Sequence, residues 1–135
     1  MLKIEHIGIA VRKLEESNPL FSLLLGSKHY KTEEVAEEKV LTSFFQVGDS
    51  KVELLEATSP ESPIAKFIEK KGEGIHHIAF KVDDIHKTME ELKEKGFLLL
   101  SEKPKRGADN MLICFLHPKS TNGVLVELCM ERKVF

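Results

Sequence analysis

Alternation of apolar and polar positions is clearest in Gly74-Ile75-His76-His77-Ile78-Ala79-Phe80-Lys81-Val82. This run is rich in β-branched and aromatic residues and has Gly72 and Gly74 ahead of it, the composition of a strand. A period of two sends His76, Ile78, Phe80 and Val82 to one side, and His77, Ala79 and Lys81 to the other. The first side reads as packed core. The second, an imidazole beside a methyl group, reads as the side with room for a ligand. The same pattern occurs in Ile4-Glu5-His6-Ile7-Gly8-Ile9-Ala10-Val11, where His6 shares its side with Gly8 and Ala10. His6 and His77 stand 71 residues apart, and the same spacing carries Val11 onto Val82 and Leu14 onto Ile85. The chain therefore contains an internal repeat, which governs how the rest is read.

Between the two copies, Leu14 to Leu25 predicts a helix with Leu14, Phe21, Leu24 and Leu25 on its apolar stripe and Gly26 as its stop. Pro19 is tolerated only in a first turn, which argues for a start later than Leu14. The charged run from Tyr30 to Lys39 is expected to face solvent. Val40 to Val47 predicts a strand, Gly48-Asp49-Ser50 a tight turn, and Lys51 to Glu56 the returning strand. Ala57 to Pro63 has linker composition, and Ser62-Pro63 is a cap followed by proline for a short helix, Ile64 to Lys70. In the second half, Asp83 or Asp84 caps a helix from about Ile85 to Lys95, with Ile85, Met89 and Leu92 inward and Gly96 at its end. Phe97 to Leu100 predicts a short strand, Glu102 to Asn110 a polar basic loop, and Met111 to Leu116 a strand. His117 to Gly123 reads as a turn before the last strand, Val124 to Met130. Each half is thus expected to run β-α-β-β-β. The expectation is an α+β fold in one domain, 1–135, of two modules, about 1–58 and 72–135, joined by a linker with a short helix at about 62–71.

Composition narrows the function. With 135 residues and 41% hydrophobic content the chain can bury a core of its own. A net charge of −2 with mixed signs argues against a nucleic-acid partner. No apolar run approaches a membrane span, and the N-terminus lacks a signal-peptide core, so a cytoplasmic protein is expected. Cys114 and Cys129 fall inside predicted strands and read as small buried hydrophobes of a reducing compartment.

The candidate chemistry lies on the strands. Each half offers a histidine on its first strand and a glutamate among aliphatic residues on its last: Lys51-Val52-Glu53-Leu54-Leu55 and Val124-Leu125-Val126-Glu127-Leu128. Glu53 and Glu127 are 74 residues apart, three more than the histidines, which an insertion in a loop absorbs. A carboxylate in an aliphatic strand is costly unless paired, protonated or bound to metal. Taken singly, a strand histidine is most often structural and a strand glutamate most often solvated. Four at repeat-equivalent positions point to convergence of His6, Glu53, His77 and Glu127 in a cleft between the modules. Two imidazoles and two carboxylates suit Zn²⁺, Co²⁺, Mn²⁺ or Ni²⁺, with open positions for Lewis-acid chemistry. Parity sends His76 to the packed side, and His29, His86 and His117 are expected on the surface. Lys103, Lys105 and Arg106, in a loop that is otherwise plain surface, could hold a phosphate or carboxylate beside a cleft.

Paired modules bearing His, Glu, His and Glu on their strands resemble the vicinal oxygen chelate superfamily. Within it, Ile4 to Val11, Gly72 to Phe80, Phe115-Leu116-His117-Pro118-Lys119 and Gly123-Val124-Leu125-Val126-Glu127-Leu128 resemble the methylmalonyl-CoA epimerases, a likeness running from Ile4 to Leu128. The resemblance implies a curved sheet enclosing a metal-binding cleft, and metal-assisted epimerisation of (R)- and (S)-methylmalonyl-CoA in propionate metabolism. An α-proton is abstracted to give a metal-stabilised enolate, with Glu127 both touching the ion and moving the proton. It implies an acyl-CoA substrate, cations such as Lys103, Lys105 and Arg106 for its phosphates, and a homodimer. Some members place a second catalytic glutamate on the strand corresponding to Val40–Val47, where this chain has Thr42, a poor base. Glu53, a water or a nearby acid such as Glu38 would then have to serve. The competing readings are a glyoxalase I-type lyase with the same ligand set, and a non-catalytic binding protein of the bleomycin-resistance kind.

Overall fold

The computed structural model describes residues 1–132. Their elements are β1 (Lys3–Ala10), α1 (Leu14–Leu25), β2 (Lys31–Val35), β3 (Val40–Val47), β4 (Ser50–Ala57) and α2 (Pro63–Lys71). They continue with β5 (Gly74–Lys81), α3 (Ile85–Glu94), β6 (Lys105–Arg106), β7 (Met111–Leu116), a short 3-10 turn at Pro118–Ser120, and β8 (Val126–Glu131). The described residues form two compact units, one comprising His6–His76 and the other Met1–Glu5 with residues 77–132. Each follows the β-α-β-β-β plan, and the fold is α+β.

In the His6–His76 unit the strand order is β2-β3-β4-β1. β3 and β4 make a hairpin closed by Val47 opposite Ser50, with Gly48 supplying the positive φ of 59° at the turn. β1 then runs parallel to β4, with Gly8 opposite Glu53, because α1 carries the chain back over the sheet. One face of this sheet packs Val11, Phe45 and Leu54 against Leu14, Phe21 and Leu25 of α1. At one end of the opposite face, Ala10, Val40 and Leu55 are covered by Ile64, Phe67 and Ile68 of α2. The Ser62 side chain accepts from the Ile64 N–H at 3.2 Å with Pro63 at the first helical position, the start predicted for this helix.

The second unit repeats the plan in the order β5-β8-β7-β6. β5 and β8 are parallel, with Ala79 opposite Glu127. Val82, Cys114, Leu116 and Leu128 pack against Ile85 and Met89 of α3 on one face, where burial pushes the Cys114 thiol pKa up. Ala79, Met111, Ile113 and Cys129 form a second apolar cluster on the other face, with Phe115. Asp84 caps α3 by accepting from the Lys87 N–H at 3.1 Å.

Several expectations need correction. The run from Tyr30 to Lys39 has no buried residue, as its charge implies, but it contains a strand that its composition does not announce: Lys31–Val35 forms β2, paired with β3. Its charges mask the alternation, since only every second residue turns toward the sheet's neighbours. Phe97–Leu100 forms no strand; a single bridge joins Leu99 to Leu116, and the edge strand β6 comes from the loop that follows. Helix α1 begins at Leu14 despite Pro19. Its start is fixed from elsewhere: Leu14 is buried and its N–H donates to the Glu56 carboxylate at 2.6 Å. Packing outweighs the lost backbone hydrogen bond. His29 is not a surface residue but lies with its ring 5.8 Å from that of Phe45.

Candidate metal centre

The two halves build the same local arrangement from the same rule. In each, the histidine lies on the first strand, and the residue two positions later is the register partner of the glutamate on the adjacent parallel strand: Gly8 with Glu53, Ala79 with Glu127. Paired residues share a face and adjacent strands lie about 4.8 Å apart, so the imidazole and carboxylate become diagonal neighbours. The small residue between them, Gly8 or Ala79, leaves the space into which both side chains reach.

His6 Nδ1 lies 3.1 Å from Glu53 Oε2, and His77 Nε2 lies 3.3 Å from Glu127 Oε1. All four residues are buried, at 4% to 5% exposure. The side bearing the histidines is therefore more enclosed than the alternation suggests: His77 and Ala79 are buried, whereas Ile78 and Phe80 on the other side are half-buried. Phe115 walls the second pair, its ring edge-on to His77 with centroids 5.7 Å apart. The first pair lies on a face with Phe44, the register partner of Glu53, and Thr42 one step along β3.

Neutral imidazole nitrogen and carboxylate oxygen are ligands for a borderline divalent cation. Two ligands with bonds of about 2.1 Å to one ion sit about 3.0 to 3.4 Å apart, depending on whether the site is octahedral or tetrahedral. The N···O separation in each pair falls within that span, so the donors fit a metal in both type and spacing. The pairs differ in one respect, Nδ1 facing the carboxylate in the first and Nε2 in the second.

The remaining predicted residues separate. His76 packs edge-on against Phe67 of α2, and burial pushes its pKa down to about 4, which keeps the ring neutral. His117 is exposed, with Nδ1 accepting from the Lys119 N–H at 3.0 Å to start the 3-10 turn. Lys103, Lys105 and Arg106 are all exposed but do not share one face. Lys105 pairs with Ile113, on the Glu127 face, while Arg106 pairs with Leu112, on the α3 face. Lys103 instead borders a cavity of about 450 Å³ between α3 and residues 97–104, with His86 and Lys93. Glu38, considered as a second acid, lies in the turn between β2 and β3. Two cations not singled out from the sequence stand on the Glu53 face, Lys51 of β4 and Lys31 of β2. Lys51 could have been found, since it shares the parity of Glu53; Lys31 could not without recognising β2.

Among the described residues, no helix is long and apolar enough to cross a membrane. The pattern of the family described as Glyoxalase/Bleomycin resistance protein/Dioxygenase superfamily matches residues 5–115. The chain is 39% identical over 128 residues to the ethylmalonyl-CoA/methylmalonyl-CoA epimerase of Cereibacter sphaeroides, spanning 93% of this chain and 96% of that protein. It is 39% identical over 127 residues to the mitochondrial methylmalonyl-CoA epimerase of Homo sapiens, spanning 93% of this chain and 72% of that one. Among solved structures, a variant of Streptomyces coelicolor methylmalonyl-CoA epimerase in complex with 2-nitronate-propionyl-CoA is similar with a TM-score of 0.92. That likeness has 34% identity and covers 98% of this chain and 99% of the other. By sequence and by fold, the chain belongs to the glyoxalase/bleomycin resistance protein/dioxygenase superfamily and, within it, to the methylmalonyl-CoA epimerases, a family of isomerases.

Proposed function

We propose that this chain interconverts (R)- and (S)-methylmalonyl-CoA by moving the proton on the carbon between thioester and carboxylate. The observation that carries the reading is the pair of buried histidine–glutamate contacts, His6–Glu53 and His77–Glu127, at matching positions of the two halves. Kinship with epimerases of acyl-CoA thioesters supports the substrate class. We read the chain as one domain of two modules, about 1–58 and 72–135, that jointly offer these four residues and pair with a second copy as a homodimer.

In this reading His6, Glu53, His77 and Glu127 hold one divalent ion, zinc, cobalt, manganese or nickel, which when bound supplies Lewis-acid polarisation of the substrate oxygens. Glu127 takes the α-proton. Its same-face neighbours Ala79 and Cys129 and the Phe115 ring exclude water around it, so the carboxylate acts in a medium of low polarity. The imidazole of His77, 3.3 Å away, orients that carboxylate. The proton returned to the opposite face comes from a group other than Thr42, whose hydroxyl does not exchange a proton readily enough at neutral pH. Lys105, which shares the Glu127 face, is the cation we assign to the coenzyme A phosphates.

The test is incorporation of solvent deuterium at the α-carbon of methylmalonyl-CoA, alongside a methylglyoxal–thiol hemithioacetal as a control for lyase activity. The reading requires rapid exchange of the first and no turnover of the second; turnover of the hemithioacetal alone overturns it.

A further inference from the structure

Thr42 carries a hydroxyl that the fold leaves unanswered. It lies between Val40 and Phe44 on the face of β3 that continues the Glu53 face of β4, and its register partner is Leu55. It is 2% exposed, more enclosed than either Val40 or Leu55 beside it. Among the described residues its side chain has no hydrogen-bond partner. The face changes character at this point. Val40 and Leu55 belong to the apolar cluster under Ile64 and Phe67 of α2, whereas Phe44 lies opposite Glu53. Glu53 is the diagonal neighbour of Thr42, roughly 7 to 8 Å away along the sheet. β4 runs between β3 and β1, and the Glu53 carboxylate is turned to His6 on β1, 3.1 Å from Nδ1. It does not answer the hydroxyl on β3.

A valine would fill the place of Thr42 without the cost of enclosing a hydroxyl, and enclosed hydroxyls are nearly always bonded. An unbonded one beside a proposed site calls for a partner from outside the fold. With the proposed ion on Glu53 the charge of that carboxylate is offset, and Thr42 adds a neutral donor beside it. A hydroxyl gives a ligand oxygen a direction without adding charge or changing protonation. The acyl group of the proposed substrate offers two kinds of acceptor, its free carboxylate and its thioester carbonyl. We infer that Thr42 is a specificity residue: its O–H donates to an oxygen of the acyl group and so fixes how that group lies against the His6–Glu53 face. The role is separate from proton transfer, for which the hydroxyl is unsuited. The inference rests on the epimerase reading and adds to it a group that recognises the substrate.

The experiment is titration calorimetry on protein supplemented with zinc, using three ligands. Methylmalonyl-CoA has both acceptors, propionyl-CoA keeps only the thioester carbonyl, and coenzyme A has no acyl group. Thr42→Val, which removes the hydroxyl and keeps the shape, is expected to weaken methylmalonyl-CoA about tenfold and leave coenzyme A unchanged within about twofold. A loss shared by propionyl-CoA assigns the bond to the thioester oxygen, and a loss confined to methylmalonyl-CoA assigns it to the carboxylate. Thr42→Ser, which keeps the hydroxyl, is expected to bind methylmalonyl-CoA within about threefold of wild type, and Thr42→Ala serves if the valine variant does not fold. Equal losses for all three ligands, no loss for any, or a serine variant as weak as the valine one overturns the role of Thr42. Deuterium exchange by the wild type separates the two ideas: exchange with unaltered binding in the variants rejects Thr42 alone. Absence of exchange in the wild type rejects the epimerase reading and this inference with it.

Discussion

Glu127 is the side chain whose chemistry has the sharpest consequence. It is buried, faces His77 at 3.3 Å and is the proposed proton carrier. Glu127→Gln keeps the shape of the side chain but cannot accept a proton, so α-proton exchange should fall about 10²- to 10⁴-fold, read by deuterium incorporation. Near-wild-type exchange would remove Glu127 from the mechanism. The histidines make a second case. If one ion is shared by both halves, His6→Ala and His77→Ala should each strip most of the bound metal, as read by elemental analysis. Loss of only half of it in either variant would indicate two independent pairs. Residue parity made His6, Glu53, His77 and Glu127 legible as candidates, and it also set His76 aside. It did not reveal that the histidine side is the more enclosed, because burial depends on what covers a face and alternation reports only which residues share it.

At the scale of elements, ends and edges decided what was readable. α2 and α3 carry their own caps in sequence, Ser62 before Pro63 and Asp84 before Ile85, and both begin where those residues indicate. Ser62 is fully buried and serves the Ile64 N–H, so Ser62→Ala should cost about 1 kcal/mol, seen in urea denaturation as a lower midpoint at constant slope. An unchanged midpoint would mean the cap contributes nothing. α1 is the contrast: its first N–H is satisfied by Glu56, 42 residues away, so no local signal marks its start. β2 and β6 were missed for a related reason. Both are dominated by charged residues, and their identity as strands lies in pairing to β3 and β7 rather than in their own composition.

For the molecule as a whole, the ion proposed above, when bound, couples ligand binding to folding. An ion that binds the folded chain and not the unfolded one stabilises it by about 2.7 kcal/mol at a hundredfold excess over its dissociation constant. Adding zinc to chelator-treated protein should therefore raise the melting temperature by several degrees, and His77→Ala should abolish the rise. A melting temperature indifferent to zinc and chelator in the wild type would argue against a resident ion. Two β-α-β-β-β halves with matching parallel pairs, β1–β4 and β5–β8, set Glu53 beside His6 and Glu127 beside His77 in the same way.

The sequence by itself determined the repeat, the α+β class, the sides of the strands and the four candidate ligands, because period-two alternation and capping are local properties of neighbouring residues. Only the tertiary structure decided which carboxylate meets which imidazole, that Lys105 and Arg106 part to opposite faces, and that Lys51 is enclosed beside His6. Those facts depend on strand register and on what packs against each face, and both are set by contacts between residues tens of positions apart. Alternation along one strand carries no record of its neighbour.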